Sequence, residues 1–418
     1  MKTIKVFEAF SGIGAQKRSI DNINKREKRK IFKVVATSDW DIRANIVYSA
    51  IHHGLSVEKI QKILTKHNLL TKEQQLEFLK NKTYSVDSKK PVKNISKYSN
   101  ELIKYLIVSE LIMNNYCDIT KINPKEIESL GVNLITYSFP CQGLSVANMG
   151  RSKGIINSES TSHLIWEIGR ILENMNNKPE YLLLENVKAL VKKYKSEYEI
   201  WKSFLDRQGY KTFTAVFNAS HHGSLQERER VFAISVLKNI KTPFTNDQEF
   251  FNFVEQIGKK HIVKDRQSEY LRIFDIKNAR VDESIDALMN NTPSRIKMVN
   301  ENNHLYKLDI QQKRNWKINT LTTKQDRNPN SGVIQFENSI EGKLNHRFIT
   351  AREAYKIMGF NDEDYEKVKV LKSKNLVNNT HLYRQAGNSI DVNVLTSILE
   401  TIKKINDVNQ DEGVKNGK

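Results

Sequence analysis

Cysteine and long apolar runs are scarce in this 418-residue chain, and each shortage excludes a class of protein. Only two cysteines occur, Cys117 and Cys141, which argues against a disulfide framework and favours a reducing compartment. No apolar run approaches the roughly 20 residues that span a bilayer. The N-terminal residues turn polar too early for a signal peptide. We therefore expect a soluble, cytoplasmic protein with no membrane partner.

Acidic residues are also few relative to basic ones. The chain has 67 Lys and Arg against 48 Asp and Glu, which gives a formal net charge of +19. An excess of this sign suits a polyanion, because each neutralised phosphate releases counterions. A lysine-rich surface can equally be a solvated surface encoded by an AT-rich genome. Charge alone leaves both interpretations open.

Apolar strands and helices alternate from the start of the chain. A strand at Ile4–Phe7 leads through a glycine turn to a helix near 16–24, and a second strand at Phe32–Thr37 precedes a helix from Ile42. This order predicts a doubly wound, Rossmann-like α/β sheet. Further elements complete βαβ units: strands at 134–137, 181–184, 213–217 and 231–235, and helices near 162–174 and 197–208.

Two segments depart from this alternation and suggest the domain boundaries. Residues 55–115 are charged and helical, with helices expected at 57–67, 71–79 and 101–113, so they form an insertion in a catalytic domain spanning 1–237. Residues 238–380 are irregular and basic, which predicts a second, smaller domain. Helices are expected there near 350–358 and, after a return to the first domain over 381–405, from Val392 to Lys403. A disordered tail over 406–418 is expected to follow.

Two residues with catalytic chemistry follow neighbouring predicted strands. Cys141, preceded by Pro140, comes after the strand at 134–137, and Glu185 comes directly after the strand at 181–184. Open α/β sheets bind ligands at the carboxyl ends of their strands. A thiolate beside an acid is the arrangement that addition to a pyrimidine ring needs. Taken singly, the cysteine fits a buried apolar residue and the glutamate fits a turn or helix cap.

A basic segment enters the last predicted strand of the sheet. Gln226, Arg228 and Arg230 alternate along it, so an extended chain points them to one face. Two guanidinium groups there could hold a pyrimidine carbonyl, orient a phosphate and lower the pKa of a nearby thiol. A solvated charged edge is the alternative interpretation.

The glycine turn and the end of the second strand have the pattern of a nucleotide site. Gly12 and Gly14 allow a ligand to approach the backbone, and Asp39, about 25 residues beyond them, could bind ribose hydroxyls. Trp40 could stack on adenine, and Asp118–Ile119 could add a polar contact. The segment Gln385–Ser389 is predicted as a turn that opens the final helix, with an ordinary helix cap as the alternative.

The succession of these motifs resembles the bacterial cytosine-C5 DNA methyltransferase family over nearly the whole chain. The resemblance implies Cys141 as the nucleophile, Glu185 as the acid at N3 and Arg230 as a contact to the flipped cytosine, with Arg228 and Pro140 beside them. It implies S-adenosylmethionine as cofactor, S-adenosylhomocysteine as product and no metal. The implied cofactor residues are Phe10, Gly12, Ile13, Gly14, Asp39, Trp40, Asp118, Ile119, Asn388 and Ser389.

The sequence departs from the family pattern at several positions. Glu8 stands where the family usually has aspartate, Asp39 where it usually has glutamate, and Ala15 where it has a second glycine. The helical insertion is similar to that of a subgroup that includes a bacterial CpG methyltransferase. Residues 238–345 show no such similarity, so the resemblance implies no particular recognition sequence.

The resemblance also implies how DNA is handled. The target base leaves the duplex, because C5 and C6 are unreachable inside the stack, and a loop over 142–161 closes over it. Thr320–Thr322 resembles an element near the base-reading loops, and Arg280, Arg295 and 324–328 are candidate readers in the major groove. The expected DNA contacts are Gln142, Ser145, Arg151, Gln226, Lys324 and Arg327.

The sequence also predicts partners, and three alternative functions stand beside the methyltransferase interpretation. We expect a monomer that acts on double-stranded DNA near the nucleoid and pairs functionally with a restriction endonuclease. A tRNA cytosine methyltransferase shares the Pro-Cys and Glu-Asn-Val motifs but has little recognition insertion, whereas about 100 basic residues are inserted here. A silent DNA-binding regulator remains open. A nicotinamide dehydrogenase explains the glycine turn but leaves Cys141, Glu185 and Arg230 without a role.

Overall fold

The structure is a computed structural model that describes residues 3–144, 153–274, 280–301, 307–308 and 316–416. Internal contacts divide the chain into two units. The first unit comprises Met1–Phe217, Glu229–Ile257 and Leu395–Lys418, and the second comprises Asn218–Arg228 and Gly258–Val394. No helix of the described residues is long and apolar enough to cross a membrane.

The strands are numbered in chain order. They are β1 Ile4–Ala9, β2 Phe32–Ser38, β3 Leu134–Tyr137, β4 Tyr181–Val187, β5 Tyr210–Asn218, β6 Gln226–Glu227, β7 Glu229–Leu237, β8 Leu288–Asn290, β9 Lys307–Leu308, β10 Ile318–Asn319, β11 Val333–Gln335 and β12 Lys343–Phe348.

The helices are numbered in the same way. They are α1 Ala15–Arg26, α2 Ile42–His53, α3 Val57–Lys66, α4 Lys72–Leu79, α5 Asn100–Met113, α6 Pro124–Ser129, α7 Ile165–Glu173, α8 Ala189–Lys192, α9 Lys195–Arg207, α10 Asp247–Gly258, α11 Arg266–Phe274, α12 Val281–Asp286, α13 Pro293–Glu301, α14 Ala351–Ile357, α15 Asp362–Ser373, α16 Asn379–Asn388 and α17 Val392–Asn416.

The first unit contains the doubly wound sheet that the sequence predicts. Among the described residues its strand order is β2-β1-β3-β4-β7-β5, with β1 to β4 parallel and β7 antiparallel to β4. The chain leaves β1 for β2 on one side and later enters β3 on the other. This reversal creates a switch point, and in open α/β sheets ligands bind at the carboxyl ends of the strands there. The expected fold class is confirmed.

The apolar core of this unit lies under β3 and β4. All four residues of β3 are buried, as expected for a central parallel strand covered on both faces. Trp201 of α9 is 1% exposed, packs edge-on against Trp166 and stacks on Phe204, and its indole N–H donates to the Tyr137 hydroxyl at 3.3 Å. Burial of a side chain this large contributes on the order of 3 kcal/mol. The strand that leads to Cys141 is therefore firmly held.

The helical insertion is close to its prediction. Helices α3, α4 and α5 begin and end within one or two residues of the expected positions, and α5 packs against α2. Ser56 caps α3 by accepting the Lys59 N–H at 3.2 Å, because its hydroxyl satisfies a donor that the first helical turn leaves free.

The second unit contains short strands and several helices. Its described part has a sheet of order β8-β12-β11-β9 and a separate pair of β10 with β6. Arg347 of β12 is 1% exposed, and its guanidinium contacts both carboxylate oxygens of Glu353 at 2.8 Å. A buried arginine needs such a fully bonded partner.

The C-terminal region differs from the expectation in two ways. Residues 385–388 end α16 instead of forming a turn, and Asp391 caps α17 by accepting the Asn393 N–H at 3.0 Å. Helix α17 continues to Asn416, beyond the predicted end at Lys403 and through most of the expected disordered tail. Packing holds this extension in place. Ile402 and Ile405 are fully buried, and Asn409 forms two hydrogen bonds of 2.9 Å with the Lys241 backbone.

Candidate active site

The glycine turn between β1 and α1 needs its two glycines for different reasons. Gly12 has φ +54° and Gly14 has φ +82°, a left-handed region that favours glycine. A Cβ added to Gly12 would meet nothing within 4 Å, so this residue borders open space. A Cβ added to Gly14 would lie 2.7 Å from the Tyr48 ring and closer still to His52. Gly12 is thus available to a ligand, whereas Gly14 allows the turn to pack on α2.

The predicted acid at the end of β2 contacts this turn. The Asp39 carboxylate accepts the Gly12 N–H at 2.8 Å through one oxygen and the Asp41 N–H at 2.8 Å through the other. Trp40 beside it is partly exposed, whereas Ile13 is 3% exposed. These contacts place the acid at the end of β2 beside the glycine turn.

The other predicted cofactor residues have different environments. Phe10 is half-buried with φ +58°, and its N–H donates to the Ser38 carbonyl at 2.7 Å. Asp118 is partly exposed and caps a short turn by accepting the Thr120 N–H at 3.0 Å, whereas Ile119 is buried. The remaining two belong to the second unit: Asn388 is exposed at the end of α16, and Ser389 is 9% exposed.

A buried carboxylic acid lies behind the glycine turn. Glu8 of β1 is fully buried, and the Tyr48 hydroxyl donates to it at 2.9 Å. Burial raises the pKa of Glu8 to about 8, and the hydrogen bond from Tyr48 opposes this shift only in part. The glutamate that replaces the family's usual aspartate is therefore protonated near neutral pH.

The two cysteines are in contrasting environments. Cys141 begins a single 3-10 turn, Cys141–Gly143, after a three-residue segment that follows β3, and it is partly exposed. Cys117 is 4% exposed, and burial together with the nearby Glu110 raises the pKa of its thiol. Cys141 is the thiol that a substrate can reach.

The candidate acid is held inside its strand. Glu185 is the fifth residue of β4, not the first residue after it, because the strand runs to Val187. It is 6% exposed, and its carboxylate accepts the Ser138 hydroxyl at 2.5 Å. The Asn186 amide donates to the Phe139 carbonyl at 3.0 Å. These two bonds link the end of β4 to the segment that leads from β3 to Cys141.

Arg230 contacts this acid. The antiparallel register places Arg230 of β7 opposite Val187 of β4, and the arginine Nε lies 3.5 Å from Glu185 Oε1. The guanidinium remains partly exposed. The structure thus brings together two of the three residues predicted for catalysis, and Cys141 follows three residues after the Ser138 that holds one of them.

Arg228 does not have the position predicted for it. It lies in the second unit, 3% exposed, and its guanidinium donates to the carbonyls of Leu321, Gly387 and Ser389 at 2.9 to 3.1 Å. The chain passes from one unit to the other between Arg228 and Glu229. Arg228 therefore ties backbone segments of the second unit together.

Gln226 is likewise not available to DNA. It is fully buried, and its amide donates to Asp391 at 2.9 Å while its carbonyl accepts the Leu321 N–H at 3.3 Å. Its partners are 95 and 165 residues distant in sequence. No local pattern could have indicated them.

The remaining predicted DNA contacts are exposed or outside the described residues. Gln142 is exposed in the first unit, and Lys324 and Arg327 are exposed in the second. Ser145 and Arg151 lie outside the described residues. Among the wider set of readers, Gln325 is fully buried and donates to the Gly332 carbonyl at 3.2 Å, which rules it out as a base contact.

The other wider candidates have partners of their own. Arg280 pairs with Glu366 at 2.9 Å, and the Arg295 guanidinium lies over the Phe348 ring at 5.4 Å. Either contact would have to be exchanged for a contact to a base.

The fold defines a class of protein: an α/β protein whose doubly wound sheet has a switch point, with an accessible thiol and a buried acid at neighbouring strands. The family model for C-5 cytosine-specific DNA methylase matches residues 95–404, and the chain belongs to this family. The expected resemblance is confirmed, and the protein is a DNA cytosine-C5 methyltransferase.

Relatives extend the match over nearly the whole chain. The Type II methyltransferase M2.ScrFI of Lactococcus lactis subsp. cremoris is 31% identical over 403 residues, which cover 96% of this chain and 99% of that protein. The orphan methyltransferase M.SssI of Spiroplasma monobiae is 31% identical over 410 residues, covering 96% and 97%.

Solved structures agree on the fold. The Dnmt2 methyltransferase of S. pombe matches with a TM-score of 0.60 at 17% identity, over 95% of this chain and 97% of that one. The methyltransferase EhMeth of Entamoeba histolytica matches with a TM-score of 0.57 at 19% identity, over 96% and 98%. At this identity the likeness supports the architecture alone.

Proposed function

We propose that this enzyme methylates C5 of a cytosine flipped out of a specific duplex DNA site, with Cys141 as nucleophile, Glu185 as the acid at N3 and Arg230 as a contact to the ring. One observation carries the assignment. Glu185 is held between Ser138 and Arg230 at the end of β4, one strand away from the accessible thiol.

The chemistry follows from the positions of these groups. The Cys141 thiolate adds to C6, and the electron pair of the C5–C6 bond moves into the ring toward N3 and O2. Glu185 hydrogen-bonds and protonates N3, while Arg230 donates to the ring carbonyl, so the developing negative charge is neutralised. C5 is then nucleophilic toward the methyl group that bound S-adenosylmethionine would supply, and S-adenosylhomocysteine would be the leaving group. Loss of the C5 proton to solvent, departure of the thiolate from C6 and return of the N3 proton to Glu185 restore the aromatic ring.

The glycine turn and Asp39 fit S-adenosylmethionine, the donor that a methyltransferase of this family uses. Gly12 borders open space, and the Asp39 carboxylate lies at this turn, where a carboxylate can accept a hydrogen bond from a ribose hydroxyl. Trp40 offers a ring to adenine, and we assign Asp118 a polar contact to it. When bound, the cofactor supplies an electrophilic methyl group. Asn388 of the second unit stays a proposed further contact.

Duplex DNA is the substrate that the charge supports. The net charge of +19 gives sequence-independent affinity for phosphates, and exposed Lys324 and Arg327 are proposed contacts in the second unit. We propose that the protein acts as a monomer near the nucleoid. We also propose a cognate endonuclease, because M2.ScrFI is named a Type II methyltransferase, although M.SssI is named an orphan.

Methyl transfer from tritiated S-adenosylmethionine tests the substrate and the nucleophile together. Duplex DNA should be labelled and tRNA should not, and Cys141→Ser should abolish labelling. A duplex carrying 5-fluorocytosine should trap a denaturant-stable protein–DNA adduct, because fluorine cannot leave C5 as a proton does. Label in tRNA alone, or an adduct that persists in Cys141→Ser, would contradict the proposal.

Bisulfite sequencing of plasmid DNA from an expressing host identifies the recognition site. Protected cytosines should fall in one short motif. Methylation scattered without a motif would refute a sequence-specific second unit.

A further inference from the structure

The 3-10 turn that carries Cys141 is closed by a side chain from another segment. The Ser162 hydroxyl donates to the Pro140 carbonyl at 2.5 Å and accepts the Gly143 N–H at 3.2 Å. Ser162 itself is fully buried. One hydroxyl therefore fixes the peptide group that precedes the nucleophile and the one that follows Gln142.

A second serine completes the closure. The Ser160 hydroxyl donates to the Gly154 carbonyl at 2.6 Å and accepts the Ser162 N–H at 3.2 Å, while the Gly154 N–H donates to the Gly143 carbonyl at 3.0 Å. A Cβ on Gly143 would lie 2.8 Å from Ser162 Oγ and closer to Ser160 Oγ. Because Gly143 has no left-handed φ, the space taken by these hydroxyls is the reason for a glycine there.

The serine segment is itself anchored to the core. The Glu197 carboxylate of α9 accepts the N–H groups of Ile155 and Ile156 at 2.6 and 3.1 Å. The Trp166 indole of α7 donates to the Ile155 carbonyl at 3.0 Å. Ser162 is thus connected to the same rigid helices that pack under β3.

We propose that Ser162 is a positioning residue for the Cys141 nucleophile: its hydroxyl holds the turn so that the thiol is aimed at C6 of the substrate base. This inference rests on the proposed role of Cys141. In this role the Ser162 hydroxyl does not contact the substrate or the Cys141 thiol. It acts through the two peptide groups to which it is hydrogen-bonded, one before Cys141 and one after Gln142. A displacement of about 1 Å in a nucleophile can cost about 100-fold in rate.

Two variants remove this closure from opposite sides. Ser162→Ala deletes the hydroxyl, and Gly143→Ala pushes a methyl group into both serine hydroxyls. Ser109→Ala is the matched control, because Ser109 is also fully buried and donates to a backbone carbonyl, that of Tyr105 at 2.7 Å within α5.

Three readouts separate positioning from general damage: kcat at saturating substrates, the Kd for S-adenosylmethionine, and alkylation of Cys141 by iodoacetamide, with buried Cys117 as internal reference. Both test variants should lose about 10- to 100-fold in kcat, keep the cofactor Kd within about twofold, and alkylate at least as fast as the unaltered protein. Ser109→Ala should match the unaltered protein in all three.

The opposite results are equally defined. A kcat within about twofold of the unaltered protein in Ser162→Ala overturns the proposal, as does an alkylation rate that falls in proportion to kcat, because the hydroxyl would then act on the reactivity of the thiol. Should Ser162→Ala fail to fold, Gly143→Ala decides by the same readouts. Full methyl transfer by Cys141→Ser would instead refute the proposed function.

Discussion

Alanine substitutions at Gly12 and at Gly14 should rank in opposite order in two measurements. Gly14→Ala should destabilise the fold more, and Gly12→Ala should weaken cofactor binding more. Both positions have positive φ, so each alanine destabilises the fold by about 1–2 kcal/mol through backbone strain. Gly14→Ala also forces a methyl group against His52 and Tyr48, and such overpacking costs about 1–3 kcal/mol more. The sum is about 2–5 kcal/mol for Gly14→Ala and about 1–2 kcal/mol for Gly12→Ala.

Cofactor binding should reverse this order. The methyl group of Gly12→Ala enters the open space assigned to S-adenosylmethionine, and its Kd should rise at least about tenfold, or 1.4 kcal/mol. Gly14→Ala, measured where it is folded, should bind with a smaller loss, because its methyl group faces α2.

Urea unfolding gives the free energy of unfolding, and calorimetric titration gives the Kd. Equal destabilisation by the two variants would refute the packing role of Gly14. Unchanged cofactor affinity in Gly12→Ala would place the cofactor elsewhere.

Three further predictions concern single side chains. Glu185→Gln should lower the rate of single-turnover methylation by about 100- to 10,000-fold, because it removes the acid at N3. The exposed control Glu229→Gln should leave this rate unchanged. A loss under tenfold for Glu185→Gln contradicts the mechanism. The pKa of Glu8 is raised by burial to about 8, so its contribution to stability is full below its unfolded pKa near 4.5 and is lost as pH rises to about 8. The free energy of unfolding, measured in urea at pH 5 and pH 8, should therefore change less with pH in Glu8→Gln than in the unaltered protein. An equal change in both proteins would refute the raised pKa of Glu8. Arg228→Leu leaves three carbonyls without their donor and should reduce the free energy of unfolding by at least about 3 kcal/mol, and a loss of activity without any loss of stability would show a catalytic role instead.

Periodicity sufficed for most of the first unit because its elements are strongly patterned. Strand β3 has the predicted bounds, and the insertion helices lie within two residues of theirs. A buried parallel strand is a continuous apolar run, and an amphipathic helix repeats every three to four residues, so both signals are local. The rule that ligands bind at carboxyl strand ends then indicated Cys141 and Glu185 from their places in the chain.

Long-range partners could not be predicted in the same way. Arg228 has the same local pattern as Arg230, two residues apart on an extended chain, yet its carbonyl partners are 93 to 161 residues away. The end of α17 is a different kind of miss, since Ile405 is buried like Ile402 three residues earlier and continues the helical spacing past the predicted end at Lys403. That signal was present in the sequence and outweighs the polar composition of the tail.

Two serines fix the positions of the candidate catalytic groups, although the sequence pattern does not indicate this role. The sheet brings β3 and β4 side by side, but register alone fixes a side chain only at its backbone. Ser138 fixes the Glu185 carboxylate, and Ser162 fixes the turn of Cys141. A hydroxyl can donate and accept at once, so a single serine can join two groups in a space too small for a longer side chain. Such residues form no motif, and only the contacts of the folded chain distinguish them from ordinary loop serines.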